Sequence, residues 1–219
     1  MTGSADRPAL VPLVREEPMP LSFAQRRLWF LHRLEGPSPT YNVPVVLRLS
    51  GALDTDALRT ALGDVVERHE ALRTVFPDVD GQPYQDIRPA AEARPDMSVG
   101  TIAEADLADA VDRAVRHSFD LATEMPLRAS LFTTADHEHV LVLVIHHIAG
   151  DGWSMGPLAR DLSTAYTARR TGTAPTWSPL PLQYADYTLW QRELLGDDTN
   201  PDSLLATQID YWKNTLTGL

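Results

Sequence analysis

The segment HVLVLVIHH, residues 139–147, is the most hydrophobic strand-like stretch of the chain, and an apolar run of this length reads as a buried β-strand. It follows LRASLFTT (127–134) across the polar ADHE (135–138), which predicts an antiparallel hairpin. Successive side chains of a strand point to opposite faces, so His146 falls with Val140, Val142 and Val144, and His147 with Leu141, Leu143 and Ile145. Two adjacent histidines thus leave a greasy strand in opposite directions, directly before the acid, glycines and serine of IAGDGWSMG (148–156).

Around this hairpin the pattern is mixed. Ser22 with Gln25 three residues later fits a capping box, and Ala24, Leu28, Phe30, Leu31 and Leu34 make a wide apolar face before Gly36 and Pro37 stop the helix. YNVPVVLRLSG (41–51) reads as a strand. Asp54 opens a second helix in which Leu58, Leu62, Val65, Val66 and His69 repeat at helical spacing. LRTVFPDVDGQPYQDI (72–87) predicts two short strands around a turn at Asp80 and Gly81. A third helix is expected to carry Leu107, Val111, Ala114 and Val115. Ser154 is expected to cap a fourth, with Leu158, Leu162, Ala165 and Tyr166 inward and Pro157 in its first turn. After the loop TGTAPTWSPLP (171–181), two helices with bulky apolar stripes close the chain, QYADYTLWQREL and LLATQIDYWKNTL. The fold class is α/β of the α+β kind, with the hairpins arguing against a purely parallel sheet.

With 219 residues and 43% hydrophobic content, the chain can bury a proper core. Lys plus Arg number 19 against 30 Asp plus Glu, and the net charge of −11 opposes the phosphate neutralisation on which nucleic-acid affinity depends. No run reaches the roughly 18 apolar residues of a membrane span, and MTGSADRPALVPLVREEPMP lacks the basic start and apolar segment of a signal peptide. The expectation is a cytoplasmic protein with neither nucleic acid nor membrane as partner. Zero cysteines fit a reducing compartment and leave His, Ser and carboxylates for any catalytic chemistry.

A metal site is not expected, because the two histidines diverge and no HExxH or cysteine spacing supplies further ligands. Two satisfied core histidines remain the plain alternative. Against it stand the position at a strand end and the following GDG, whose glycines admit a ligand or other backbone. A histidine left neutral in a cleft accepts a proton near working pH. Asp151 needs a partner, either a basic residue or the amides of the next helix. GWSMG (152–156) matches the G-x-S-x-G nucleophile elbow around Ser154, but a hydrolase triad of that type places its histidine after the serine. Here all seven histidines precede Ser154.

HHIAGDG (146–152) fits the HHxxxDG signature of nonribosomal peptide synthetase condensation domains, in the chloramphenicol acetyltransferase-like superfamily. LSFAQRRLWFL (21–31), RHEALRTVF (68–76), FDLATEMPLRASLF (119–132) and YADYTLWQ (184–191) resemble further segments of that family in the same order. The resemblance implies a lobe with a mixed, largely antiparallel sheet flanked by helices. It also implies acyl transfer, in which the amine of an aminoacyl thioester on one carrier protein attacks the acyl or peptidyl thioester on another. Both chains would ride on phosphopantetheine arms, with no cofactor bound directly.

The resemblance makes His147 the principal active-site residue and His146 its support. It gives Asp151 a structural task with Arg73 as ion-pair partner, and gives Gly152 the role of keeping the approach to the thioester open, its amide facing the oxyanion. Ser22, Arg27 and Trp29 match family motif positions, although a capped, aromatic-packed helix is the better account of them. The paired histidines argue against heterocyclising relatives, and the segments lean toward the class joining an L-configured donor to an L-configured acceptor. Condensation domains are about twice this length. The expected organisation is therefore a Pro-rich leader or linker (1–20), an N-terminal lobe (21–180) and closing helices leading to a missing C-terminal lobe (181–219). Implied partners are the donor and acceptor carrier proteins, that second lobe and an adjacent adenylation domain. A fragment of this kind is expected to be inactive alone and to self-associate through its exposed lobe interface. A carrier-docking lobe without catalysis is the competing reading.

Overall fold

A computed structural model describes residues 7–218, so the first six residues of the expected leader, and Leu219, lie outside the described part. In chain order the elements are β1 (Met19–Pro20), α1 (Phe23–Glu35), β2 (Asn42–Ser50), α2 (Thr55–Arg68), β3 (Thr74–Val75), β4 (Asp78–Val79), β5 (Gln82–Ile87) and β6 (Asp96–Thr101). There follow α3 (Leu107–Val115), β7 (Leu127–Ala135), β8 (Glu138–His146), α4 (Met155–Arg170), α5 (Tyr184–Leu195) and α6 (Leu204–Thr215).

The main sheet has the order β2-β8-β7-β6. β8 is antiparallel to both its neighbours, and β6 runs parallel to β7. Because β8 is central and covered on both faces, every residue from Val140 to His146 is buried. Leu141, Leu143 and Ile145 join Leu58, Leu62, Val65 and Val66 of α2 and Leu158 and Leu162 of α4. Val140, Val142 and Val144 join Leu28 of α1, Leu107 of α3, Phe76 and Phe119. Each such aliphatic side chain contributes about 1.5–3 kcal/mol on burial, so β8 acts as the rivet between two helical layers. A smaller sheet, β1-β5-β3 with β4 also on β5, stands beside it. Its β4–β5 turn uses Asp80 (φ 51°) and Gly81 (φ 78°), the two left-handed residues that a tight hairpin requires.

Several features differ from the expectations, among them β1 inside the expected leader and three short strands, β3, β4 and β5, where two were expected. β6 was not foreseen: of DMSVGT only Met97 is buried as an apolar side chain, so an edge strand there carries almost no apolar pattern. On α1 the inward line is Gln25 and Leu28, while Phe30 (57% exposed) and Leu34 (68%) face outward. The apolar arc of this helix is wider than the surface that the described residues offer it. α6 likewise has no buried residue among those described, and it exposes Tyr211 and Trp212.

The described part of the expected leader, residues 7–20, is fastened to the rest of the chain. β1 pairs with β5, Trp190 Nε1 donates to the Pro8 carbonyl at 2.7 Å, and Gln85 Nε2 donates to the Pro20 carbonyl at 2.7 Å.

Candidate active site

The β2–β8 ladder ends at the Asn42–His146 pair, one residue earlier than the sequence suggests, although the His147 amide still donates to the Tyr41 carbonyl at 2.8 Å. Beyond it the chain turns at once, the Ala149 amide returning to the His146 carbonyl at 2.9 Å. The two histidines therefore occupy different worlds. His146 is 1% exposed, with its ring among those of Phe119, His32 and Tyr41 at centroid distances of 6.0, 6.3 and 6.4 Å. Burial first, then the nearby His32 and His147, push its pKa from 6.5 down to about 4. It is neutral at working pH. The Ile148 amide donates to its Nδ1 at 3.2 Å, so its proton sits on Nε2.

His147 is exposed, and its Nδ1 lies 2.8 Å from the Gly150 carbonyl oxygen. A carbonyl oxygen only accepts, so Nδ1 carries a proton, and in the neutral ring the lone pair lies on Nε2. Nε2 has no hydrogen-bond partner among the described residues. The Gly150 carbonyl thus fixes the ring by its Nδ1–H and leaves Nε2 directed away from any bond within the described residues.

Asp151 holds the next turn. Its Oδ1 accepts from the Ser154 amide at 3.0 Å and from Ser154 Oγ at 2.7 Å, while the Asp151 amide donates back to Ser154 Oγ at 3.1 Å. The Ser154 hydroxyl bond, more than any other cause, holds the Asp151 carboxyl below its ordinary range, and the field of His147 acts the same way. The expected cap is thus shifted: Asp151 caps the 3-10 turn Gly152–Ser154, and the Ser154 side chain caps nothing in α4. The Ser154 hydroxyl donates to Asp151, and among the described residues no histidine bonds to it.

The expected ion pair between Arg73 and Asp151 is not formed. Arg73 donates to the Arg88 carbonyl and lies 3.7 Å from Glu70, at the junction of the 3-10 turn Glu70–Arg73 with β5. Its Nε is buried without a partner. Asp151 needs no distant cation, because the Ser154 hydroxyl and the adjoining amides satisfy it locally. A Cβ added to Gly152 would meet nothing within 4 Å, so packing within this lobe does not demand glycine there. Trp153 beside it is 91% exposed. Ser22 caps α1 and bonds Tyr184 Oη at 3.0 Å, Trp29 Nε1 donates to the Phe76 carbonyl at 3.1 Å, and Arg27 is exposed. Local structure accounts for the first two.

A cleft of about 300 Å³ opens beside the loop, lined by His69, Leu72, Ile145, Gly150, Met155 and Tyr184 among others. His69 belongs to it rather than to an apolar helix face. His69 Nε2 and Arg68 Nε lie 2.8 and 2.9 Å from Asp161 Oδ2. Burial raises the Asp161 pKa, but these two bonds outweigh it and hold the carboxyl below its usual range. The histidine of RHE was the available signal for this cluster. Its partner lies 92 residues away, a separation that no local pattern bridges. Among the described residues no three His, Asp or Glu side chains converge in a way that could hold a metal.

A family model described as "Condensation domain" matches residues 15–219. Over 212 residues the chain is 58% identical to the "Dimodular nonribosomal peptide synthase" of Bacillus subtilis, a match covering 97% of this chain and 9% of that protein. The solved complex of the X-domain and OxyB from teicoplanin biosynthesis contains a chain of TM-score 0.88 and 42% identity, with 99% of this chain and 47% of that one covered. The starter condensation domain of rhizomide synthetase RzmA has a TM-score of 0.73 at 22% identity, covering 90% of this chain and 47% of that one, a likeness of fold. This chain thus spans about a tenth or less of the curated relatives it matches and just under half of these solved chains. The chain has the chloramphenicol acetyltransferase-like fold of those domains, its HHIAGDG turn stands at the end of the central strand, and the family match runs over almost its whole length. The chain belongs to the condensation-domain family.

Proposed function

We propose that this chain is the lobe carrying the reactive histidine of a domain that forms amide bonds in nonribosomal peptide synthesis. One carrier protein presents an acyl or peptidyl thioester, and a second presents an aminoacyl thioester, each on a phosphopantetheine arm that belongs to the carrier as part of the substrate. The amine nitrogen attacks the thioester carbonyl, the C–N bond forms, and the C–S bond breaks to release the donor thiol. An α-amino group has a pKa near 8, so it is partly deprotonated before attack and becomes strongly acidic once the tetrahedral adduct forms. His147 Nε2 then takes the nitrogen's proton, and the departing thiolate is protonated in turn. Nδ1–H on the Gly150 carbonyl keeps the ring aimed, and the Asp151 carboxylate favours the transient imidazolium. His146, neutral and buried, supports the turn, and Gly152 leaves the approach open. Localisation follows the synthetases, in the cytoplasm, and the product class is a secondary metabolite such as an antibiotic or siderophore.

The observation that carries this reading is the His147–Gly150 hydrogen bond, which occupies Nδ1 and leaves Nε2 without a partner among the described residues. The test is substitution of His147 by Ala in the complete parent domain, supplied with two loaded carriers. The reading requires loss of amide product with folding retained; undiminished product formation refutes it. We further propose residues 21–180 as the lobe proper and 181–219 as the start of the connection to a second lobe, so that the isolated chain forms no product. A second reading, a docking lobe without catalysis, is favoured by the 42%-identical X-domain, whose solved complex holds OxyB. Under that reading the His147 variant keeps full function in the parent.

A further inference from the structure

Residues 7–18 form an arm with no helix or strand, yet the lobe holds it at both ends. At one end the Pro8 carbonyl accepts from Trp190 and the Arg7 guanidinium stacks 5.1 Å from the Trp190 ring centroid. At the other, β1 enters the small sheet. Between these anchors Arg15 reaches inward. Its Nη1 donates to Glu70 Oε2 at 2.6 Å, while Nη2 and Nε donate to Asp186 Oδ1 at 3.1 and 3.3 Å. Asp186 is 3% exposed, a buried carboxylate whose cation comes from outside the regular elements.

The two carboxylates stand behind two adjoining segments that line the cleft beside the His147 loop. Glu70 opens the 3-10 turn that carries Leu72 and directly follows His69; Asp186 lies in the first turn of α5, behind Gln183 and Tyr184. The walls also touch directly, the Glu70 amide donating to Gln183 Oε1 at 3.1 Å and the Gln183 amide to Asp186 Oδ2 at 2.8 Å. Arg15 closes this into a ring that runs Arg15, Glu70, Gln183, Asp186 and back. We propose that Arg15 is a positioning residue for the cleft: by bridging Glu70 and Asp186 it sets the spacing of the two walls, so the cleft keeps its width only while the N-terminal arm is seated. A guanidinium suits the task because its planar fork offers donors to two carboxylates at once, where a lysine offers a single point charge. The consequence for acyl transfer rests on the function proposed above, whereas the bridge itself does not.

The test is amide hydrogen exchange on the 219-residue chain, comparing the amides of Glu70 and Gln183 with those of Val142 and Leu143 in β8, which report global opening. For Arg15→Ala, exchange at Glu70 and Gln183 is expected to rise about tenfold or more relative to β8. Arg15→Lys is expected to fall between the two, since charge returns without the fork. If Arg15→Ala does not fold, the double variant Arg15→Gln/Asp186→Asn, which strands no buried charge, reads the same ratio with the same expected direction. An unchanged ratio in the folded variant, with all amides rising together, would make Arg15 a general stabiliser and overturn the proposal. Full rescue by Lys would overturn the bridging geometry. Neither readout depends on turnover, so loss of the acyl-transfer reading would leave this result standing.

Discussion

The neutral, buried state of His146 has a measurable cost at low pH. Its pKa is about 4 in the fold against 6.5 for a free imidazole, so between those values the unfolded chain binds a proton that the folded chain refuses. Stability contributed by the neutral ring is therefore complete above about pH 6.5 and is lost progressively as pH falls towards about 4. The full difference corresponds to about 3 kcal/mol, of which about 2 kcal/mol is lost between about pH 7.5 and about pH 5. The informative perturbation is His146→Asn. An amide oxygen near the position of Nδ1 can still accept from the Ile148 amide, yet nothing at that position titrates. Equilibrium urea unfolding at several pH values, for both proteins, gives the assay. His32 on α1 is lowered in the same direction, chiefly by its own burial, and its contribution cancels in the difference between the two curves. The variant is expected to be less stable at neutral pH through lost ring packing, and the gap is expected to narrow by about 2 kcal/mol at about pH 5. Parallel curves across the range would mean that His146 titrates normally, and the assignment of the two histidines to different roles would fail.

Removing the Asp151 cap by Asp151→Ala is expected to cost about 1 kcal/mol in the same unfolding assay, because both the amide and the hydroxyl of Ser154 lose their acceptor. As the folded pKa of Asp151 is lowered, that contribution is present above its unfolded value and fades as pH falls through the folded one. Gly152→Ala should leave stability within about 0.5 kcal/mol, since its Cβ enters open space; a larger loss would show that the turn tolerates only glycine. Leu143→Ala, at the centre of β8 between α2 and α4, should cost about 2–5 kcal/mol through the cavity it leaves, read by chemical denaturation. Exposed Trp153, Phe30, Leu34 and Trp212 predict concentration-dependent association of this chain by light scattering; a strict monomer at high concentration would count against it.

Where a structural decision is local, the amino-acid order carries it. The caps at Ser22 and Asp54, the turn at Asp80 and Gly81 and the opposed directions of His146 and His147 all depend on contacts a few residues apart or on strand alternation alone. β6 escaped because an edge strand with Met97 as its one buried apolar side chain has little pattern to read. Phe30 and Leu34 misled because a helix's apolar arc says how much surface wants cover, and only the neighbouring elements decide what cover exists. Arg73 was paired with the wrong acid for a related reason. Asp151 found its donors three residues away, and Arg73 was drawn to Glu70 and the Arg88 carbonyl. The Arg15 bridge spans 55 and 171 positions, and separations of that size become visible only once the chain has folded.

The central claim is that adjacent histidines are held in opposite tautomers, His147 with Nε2 free and His146 with Nε2 protonated. Long-range nitrogen–proton correlation on the histidine-labelled chain, under alkaline conditions, reads both assignments in one spectrum. The expected result is a pyridine-like Nε2 and a protonated Nδ1 for His147, with the reverse for His146. A protonated Nε2 on His147 would remove the basic nitrogen from the place where the substrate amine has to meet it, and would contradict the account.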